Sequence, residues 1–187
     1  MSTVLQPQAP VRRSARDRRA EKRRLRRMDA LSGRLAELYA IRALLQDAAV
    51  IVSAGWVQGA WFTVADAGRT RTVTAYDLSV AETRPVIGAC LVGAVVQSAG
   101  GPREVGTQLV QRSLDLLWHS MREDPRRPVR WCPGPRVRMM HVLELTYWND
   151  APQRTADEVS ALLRDAARTA DLQATRCRDE RAVLARA

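Results

Sequence analysis

Lysine is nearly missing from this 187-residue chain: Lys22 stands beside 29 arginines, and Phe62 is the single phenylalanine. The arginine bias runs through the whole sequence, as a GC-rich genome would write it, so it assigns no function to any one segment. Cysteine is scarce, with Cys90, Cys132 and Cys177 far apart and no C-x-x-C pair. That spacing excludes a disulfide framework and a zinc knuckle, and it points to a reducing cytoplasm. Long hydrophobic runs are absent too, since the longest, 85–96, falls well short of the ~20 residues that a membrane span needs. No apolar segment follows the N-terminal basic run, so neither a secretory signal nor a twin-arginine signal at Arg12-Arg13 is expected. The chain lacks G-x-x-x-x-G-K, and no G-x-G-x-x-G follows a strand pattern, which argues against a nucleotide-dependent enzyme.

What is present suffices for one globular domain. The chain is 46% hydrophobic, too apolar for a disordered protein. A domain of ~150 residues buries roughly 70% of its unfolded surface around one core. The charge is segregated. Of the net +10, residues 12–27 carry +8, from Arg12, Arg13, Arg16, Arg18, Arg19, Lys22, Arg23, Arg24, Arg26 and Arg27 against Asp17 and Glu21. Such a block reads as a basic arm that meets phosphates, while the remaining residues sum to only +2. Met28 closes the block and offers an alternative start that would leave the arm untranslated.

The spacing of apolar residues predicts a mostly α fold of about five helices with one small β-hairpin. Residues 1–30 form the arm, disordered or helical, with Ser14-x-x-Asp17 as a capping pattern and Gly33 as an equally good break. A domain spans 31–170. Leu35, Leu38, Ile41, Leu44, Leu45, Ala48 and Val52 mark an amphipathic helix over 31–52, which Gly55 is placed to stop. β-Branched and aromatic residues over 61–76, parted by Ala67-Gly68, predict the hairpin. Pro85 is read as the first residue of a central helix ending at Gly100-Gly101. A further helix is expected over 104–121, followed by a Pro/Arg loop at 122–136. The period of 137–148 is ambiguous: Val137, Met139, His141, Leu143, Leu145 and Tyr147 alternate as in a strand, while Met139, Val142, Leu143 and Thr146 follow helical steps, and helix is preferred for the length and the two adjacent methionines. The capping box Thr155-x-x-Glu158 starts a last helix, and 171–187 is a solvated helix extension or a frayed tail.

Three stretches carry a family resemblance: Gly55-Trp56-Val57-Gln58-Gly59-Ala60, Gly88-Ala89-Cys90-Leu91-Val92-Gly93-Ala94, and Trp148-Asn149-Asp150-Ala151-Pro152 through Arg154-Thr155-Ala156-Asp157-Glu158-Val159. Together they resemble a family of small uncharacterised actinobacterial and phage proteins, a domain of unknown function, over roughly residues 35–170. The resemblance implies a helical fold with a small β-element and brings no activity. Trp56, Gln58, Cys90, Trp148, Asn149, Asp150 and Thr155 are its motif residues, without assigned roles.

The chemical constellations are sparse. The favoured reading of Asn149 and Asp150 is a turn in which both bond nearby backbone groups while Trp148 plugs the core. Its rival, Asp150 as a general base, lacks a partner group. Cys132, His141, His119 and Cys90 bear donors that zinc prefers, but at no compact ligand spacing, so no metal or other cofactor is expected and Cys90 reads as a small core residue. Cys132 with His141 as nucleophile and base would need a geometry that spacing does not supply. The Pro/Arg loop sets Arg126, Arg127 and Arg130 around Trp131, a pattern suited to single-stranded nucleic acid, although a solvated loop with Trp131 packed inward is preferred. Three functions follow in order: a non-enzymatic nucleic-acid-associated protein acting through the arm, a protein-interaction module, and an enzyme with a site near Asp150 or His119. Enzyme status stays open and leans to no. The expected partner is nucleic acid or a protein, not a membrane.

Overall fold

A computed structural model describes residues 14–186; Arg12, Arg13 and the opening 1–11 lie outside the described residues. The fold is mostly α, with a small antiparallel sheet. Helix α1 (Ala15–Ala54) runs without a break for 40 residues, about 60 Å at 1.5 Å per residue. Its start is written locally: the Ser14 hydroxyl accepts from Asp17 N–H and the Asp17 carboxylate accepts from Ser14 N–H, both at 3.1 Å. Gly33 does not break it. A glycine costs a helix about 1 kcal/mol, and the buried neighbours Leu31 and Leu35 hold the turns on either side against the core.

Strands β1 (Phe62–Asp66) and β2 (Arg69–Val73) form the hairpin, joined by Ala67 and Gly68, both at positive φ. That conformation matches the right-handed twist of the strands. The helix expected from Pro85 is a correction. Residues 86–89 are instead a third strand, β3 (Val86–Ala89), giving the order β2-β1-β3. Proline suits the first residue of a strand as well as of a helix, and β3 satisfies the open edge of β1 through the pairs Phe62–Ala89 and Thr63–Gly88. Only then does α3 (Leu91–Ser98) begin, capped by the Cys90 sulfur, which accepts from Gly93 N–H at 3.3 Å. Residues Leu91 to Val96 of α3 are all buried, at the centre of the core.

A short helix α2 (Leu78–Glu82) precedes β3, and a 3-10 turn over Pro102–Gly106 delays α4 to Gln108–Arg122. The Pro/Arg segment is irregular as far as α5 (Pro135–Asn149). The last helix, α6 (Ala156–Arg186), starts at the expected capping box. Thr155 Oγ1 accepts from Glu158 N–H at 3.3 Å, and the Glu158 carboxylate accepts from Thr155 N–H at 2.9 Å. Over 171–186 the chain is helix, one of the two forms expected for the extension, but Gln173, Ala174 and Cys177 are buried and not solvated. Helices α1 and α6 lie antiparallel along most of their lengths, tied by Ser53–Ser160 (3.1 Å), Arg42–Asp171 (3.0 Å), Arg27–Glu180 and Arg24 to the Leu184 carbonyl (2.9 Å). Among the described residues, no helix is long and apolar enough to cross a membrane.

Two glycines matter for what approaches them. Gly55 ends α1 in extended backbone, where any residue fits, but a Cβ there would lie 2.4 Å from the Ile87 carbonyl oxygen. A Cβ on Gly93 would lie 2.1 Å from the Trp61 carbonyl oxygen. Gly93→Ala therefore destabilises by about 3 kcal/mol, because α3 must move off β1. The same change at Gly33, with nothing within 4 Å, stabilises by up to about 1 kcal/mol. Urea midpoints of the two variants, moving in opposite directions, check this. A second expectation concerns Glu158, whose carboxyl the Thr155 N–H bond holds below its usual range. A depressed carboxyl contributes stability above its ordinary pKa and loses it as pH falls through the folded value. Glu158→Gln keeps the capping geometry, so its deficit relative to the parent is full near neutrality and closes in acid, read from urea midpoints between pH 7 and pH 3.

Candidate functional site

The basic residues occupy the first turns of α1. Arg16, Arg18, Arg19, Lys22, Arg23, Arg26 and Arg27 are exposed, and Arg24 is half-buried. On a 3.6-residue period Arg16, Arg19, Arg23 and Arg26 fall on one stripe. Arg24 and Arg27 do structural work: Arg24 binds Glu21 (2.9 Å) and the Leu184 carbonyl, and Arg27 pairs with Glu180. The Pro/Arg loop lies farther along the same partner helix. The Arg127 carbonyl accepts from Gln173 Nε2 at 2.9 Å, and the Arg126 carbonyl accepts from Arg176, leaving the side chains of Arg126, Arg127 and Arg130 exposed. Positions 173, 176, 180 and 184 form one stripe of α6, about 16 Å long, so the loop and the basic turns are neighbours along it. Trp131 packs against the core, with the Arg112 guanidinium 4.4 Å from its ring centre, as the solvated-loop reading expects.

The three motif stretches converge on one side chain. Asn149 is fully buried at the end of α5. Its Oδ1 accepts from the Trp56 indole N–H (2.9 Å) and the Leu91 backbone N–H (3.0 Å), while Nδ2 donates to the Val57 carbonyl (3.2 Å) and to Asp150 Oδ1 (2.7 Å). All four hydrogen-bonding directions of the amide are thus used. Asp150 Oδ1 also accepts from Gly59 N–H (3.0 Å), and Gln58 Nε2 bridges the carbonyls of Asn149 (3.1 Å) and Ala151 (2.9 Å). The expected local turn is corrected on this point: these bonds reach 91 to 93 residues back along the chain, and to Leu91, rather than to nearby backbone. Trp148 is half-buried under the Arg154 guanidinium, 3.8 Å from its ring centre, at the rim of the core. Burial pushes the Cys90 thiol up to about 11, which suits a helix cap and not a nucleophile.

Cys132 and His141 do come together, with Sγ and Nδ1 3.8 Å apart. Sequence reasoning missed the third member, Asp115 of α4, which is 2% exposed. Its carboxylate takes a bidentate pair from Arg138 (3.1 and 3.0 Å) and accepts from Cys132 N–H at 3.2 Å. Trp118 stacks on the His141 ring, with centres 3.7 Å apart. Burial, then the charge of Asp115, raises the Cys132 thiol above its usual value, the reverse of what an activated nucleophile needs. Neither Cys90 nor His119 belongs to this cluster. His119 is buried, with Nδ1 2.7 Å from Glu123 Oε2 but outside hydrogen-bonding alignment. The Asp150 carboxylate is engaged by Gly59 and Asn149, and the enzyme reading gains no second group there.

A family model matches residues 37–169, and the chain belongs to that family, the Family of unknown function (DUF6197). No curated protein and no solved structure matches the chain. The match contains the Asn149 network and the Asp115–Cys132–His141 cluster. It begins beyond the basic turns of α1, whose role therefore comes from this chain's own residues.

Asn149→Ala leaves the Leu91 and Trp56 N–H groups without their acceptor and costs roughly 3 kcal/mol or more. Asp150→Ala costs about 1 kcal/mol, since it removes bonds at the edge of the network. Urea unfolding followed by circular dichroism measures both, and an Asn149→Ala deficit no larger than that of Asp150→Ala would remove the buried amide from its structural role.

Proposed function

We propose that this member of the family associates with nucleic acid without base specificity, through phosphate contacts from the exposed basic stripe of α1, with Arg126, Arg127 and Arg130 alongside. One observation carries the reading: the stripe works against its own helix. Cations at three- and four-residue spacing repel one another, by about 0.2–0.5 kcal/mol per pair, and Arg16, Arg18 and Arg19 sit at the positive end of the helix dipole. Asp17 is the one acidic side chain of that first turn. A chain that holds such charge in ordered, exposed helix gains stability when polyanion phosphates neutralise it. Violations of local preference of this kind collect at functional surfaces. The duplex or single strand is met through its backbone, and the contacts displace counterions.

A protein-interaction module is the second reading, favoured by α5, where Met139, Met140, Leu143 and Tyr147 are exposed on an outward face. Large exposed apolar patches mark contact surfaces more often than chance.

The deciding experiment titrates labelled single- and double-stranded DNA and RNA with the full chain and with an Arg16/Arg19/Arg23/Arg26→Gln variant across a salt series. The parent binds with a log-log salt slope of about −4 or steeper, and the variant's slope is flatter by roughly 3 to 4 on duplex DNA. Equal weak binding by both chains would sink the proposal and leave the α5 face as the functional surface.

A further inference from the structure

We infer that Asp115, Cys132 and His141 form a binding site for one thiophilic divalent cation of the zinc class, with the fourth coordination position open to water. The inference stands apart from nucleic-acid binding and shares no residue with the basic stripe. Three different elements deliver the donors: α4 gives Asp115, the Pro/Arg loop gives Cys132 and α5 gives His141. Their ligand atoms all lie within 4.8 Å of one another. Around a tetrahedral zinc ion, sulfur at ~2.3 Å and nitrogen at ~2.05 Å stand about 3.6 Å apart. The observed separation of Cys132 Sγ and His141 Nδ1 is 3.8 Å. Thiolate, imidazole and carboxylate together select zinc over magnesium or calcium, which prefer oxygen alone.

The surroundings supply what a metal site needs beyond its donors. The Asp115 carboxylate is held by the Arg138 pair and by Cys132 N–H, and Oδ2 takes two of these three bonds. A carboxylate has about four lone-pair directions, so Oδ1, with one donor, has room for the ion. Ligating carboxylates ordinarily have such outer support. Trp118 fixes the plane of the His141 ring, and its indole N–H is held in turn by Glu144 at 3.1 Å. Asp115 is buried, while Cys132 and His141 are half-buried, so the cluster is anchored at its base and reachable from solvent. On binding, the Cys132 S–H bond breaks, its proton passes to solvent and an S–metal bond forms; neutral His141 offers the Nδ1 lone pair. A raised thiol, a handicap for a nucleophile, is no bar here, because coordination removes the proton outright.

The test uses the full chain, reduced and stripped with chelator, titrated with Zn²⁺ by calorimetry and with Co²⁺ by absorbance. The expected result is one ion per chain at a dissociation constant of about 1 µM or tighter, with a thiolate-to-cobalt charge-transfer band in the near ultraviolet. Cys132→Ser abolishes the band, and both it and His141→Ala weaken zinc binding at least ~10-fold, whereas Cys177→Ser changes neither. Zinc also raises the unfolding temperature of the parent by mass action. Should Cys132→Ser fail to fold, alkylation of the parent decides: zinc shields one thiol from iodoacetamide, and peptide mapping places it at Cys132. No uptake at this affinity, a band that survives in Cys132→Ser, or shielding of another thiol or of none overturns the site.

Discussion

The Asn149 carboxamide is the fixed point to which the rest of the fold is referred. Two acceptor and two donor directions of one buried side chain bind the 56–57 crossing, the first turn of α3 and the following residue of its own loop. Buried amides are costly unless every direction is met. Here the 56–57 crossing meets two of them, the first turn of α3 a third and Asp150 the last, so these segments must arrive in register together. That constraint seats α3 against β1, where Gly93 leaves no room for a side chain. It also sets the end of α5, from which the Thr155 cap launches α6.

Once α6 is launched, its length decides where charge stands. Helix α1 is held antiparallel to it by pairs spread from Ser53–Ser160 to Arg24–Leu184. Exposed ion pairs contribute little individually, and the association rests on the buried apolar residues of both helices, Leu31 to Val52 against Val159 to Cys177. The basic turns project beyond the last of that buried apolar contact, held there by Arg24 and Arg27. Tertiary packing thus maintains a helix that its local charges would weaken.

Sequence legibility followed the range of the interactions. Caps were readable, because Ser14–Asp17 and Thr155–Glu158 close over three residues. So were the hairpin turn at Ala67-Gly68 and the periods of α1 and α4, whereas the apolar residues of 137–148 alternate as readily as they follow helical steps. Strand β3 was not. Pro85, Val86 and Ile87 suit a strand or a helix start equally, and what decides is the open edge of β1, more than twenty residues earlier. Gly55 was legible as a helix stop, but nothing local names the Ile87 carbonyl it approaches or the Trp61 carbonyl that Gly93 approaches. The roles of Asn149 and Asp115 were illegible for the same reason: a lone amide or carboxylate in a pattern carries no sign of partners 93 or 17 residues away.

The Pro/Arg loop shows how irregular backbone is held in place without secondary structure. Near one end, the carbonyls of Arg126 and Arg127 accept from Arg176 and Gln173 of α6; near the other, Cys132 N–H is fixed to Asp115, and Val129 between them is buried. Four prolines at 125, 128, 133 and 135 reduce the backbone freedom of the unfolded segment. Three exposed arginines therefore project from a loop whose conformation is already largely settled. Side chains on a pre-ordered segment lose less entropy on engaging a ligand than those on a loose one. The same anchoring carries Cys132 to the Asp115 carboxylate, so one loop conformation serves both the charged surface beside α6 and the mixed-donor cluster beside α4 and α5.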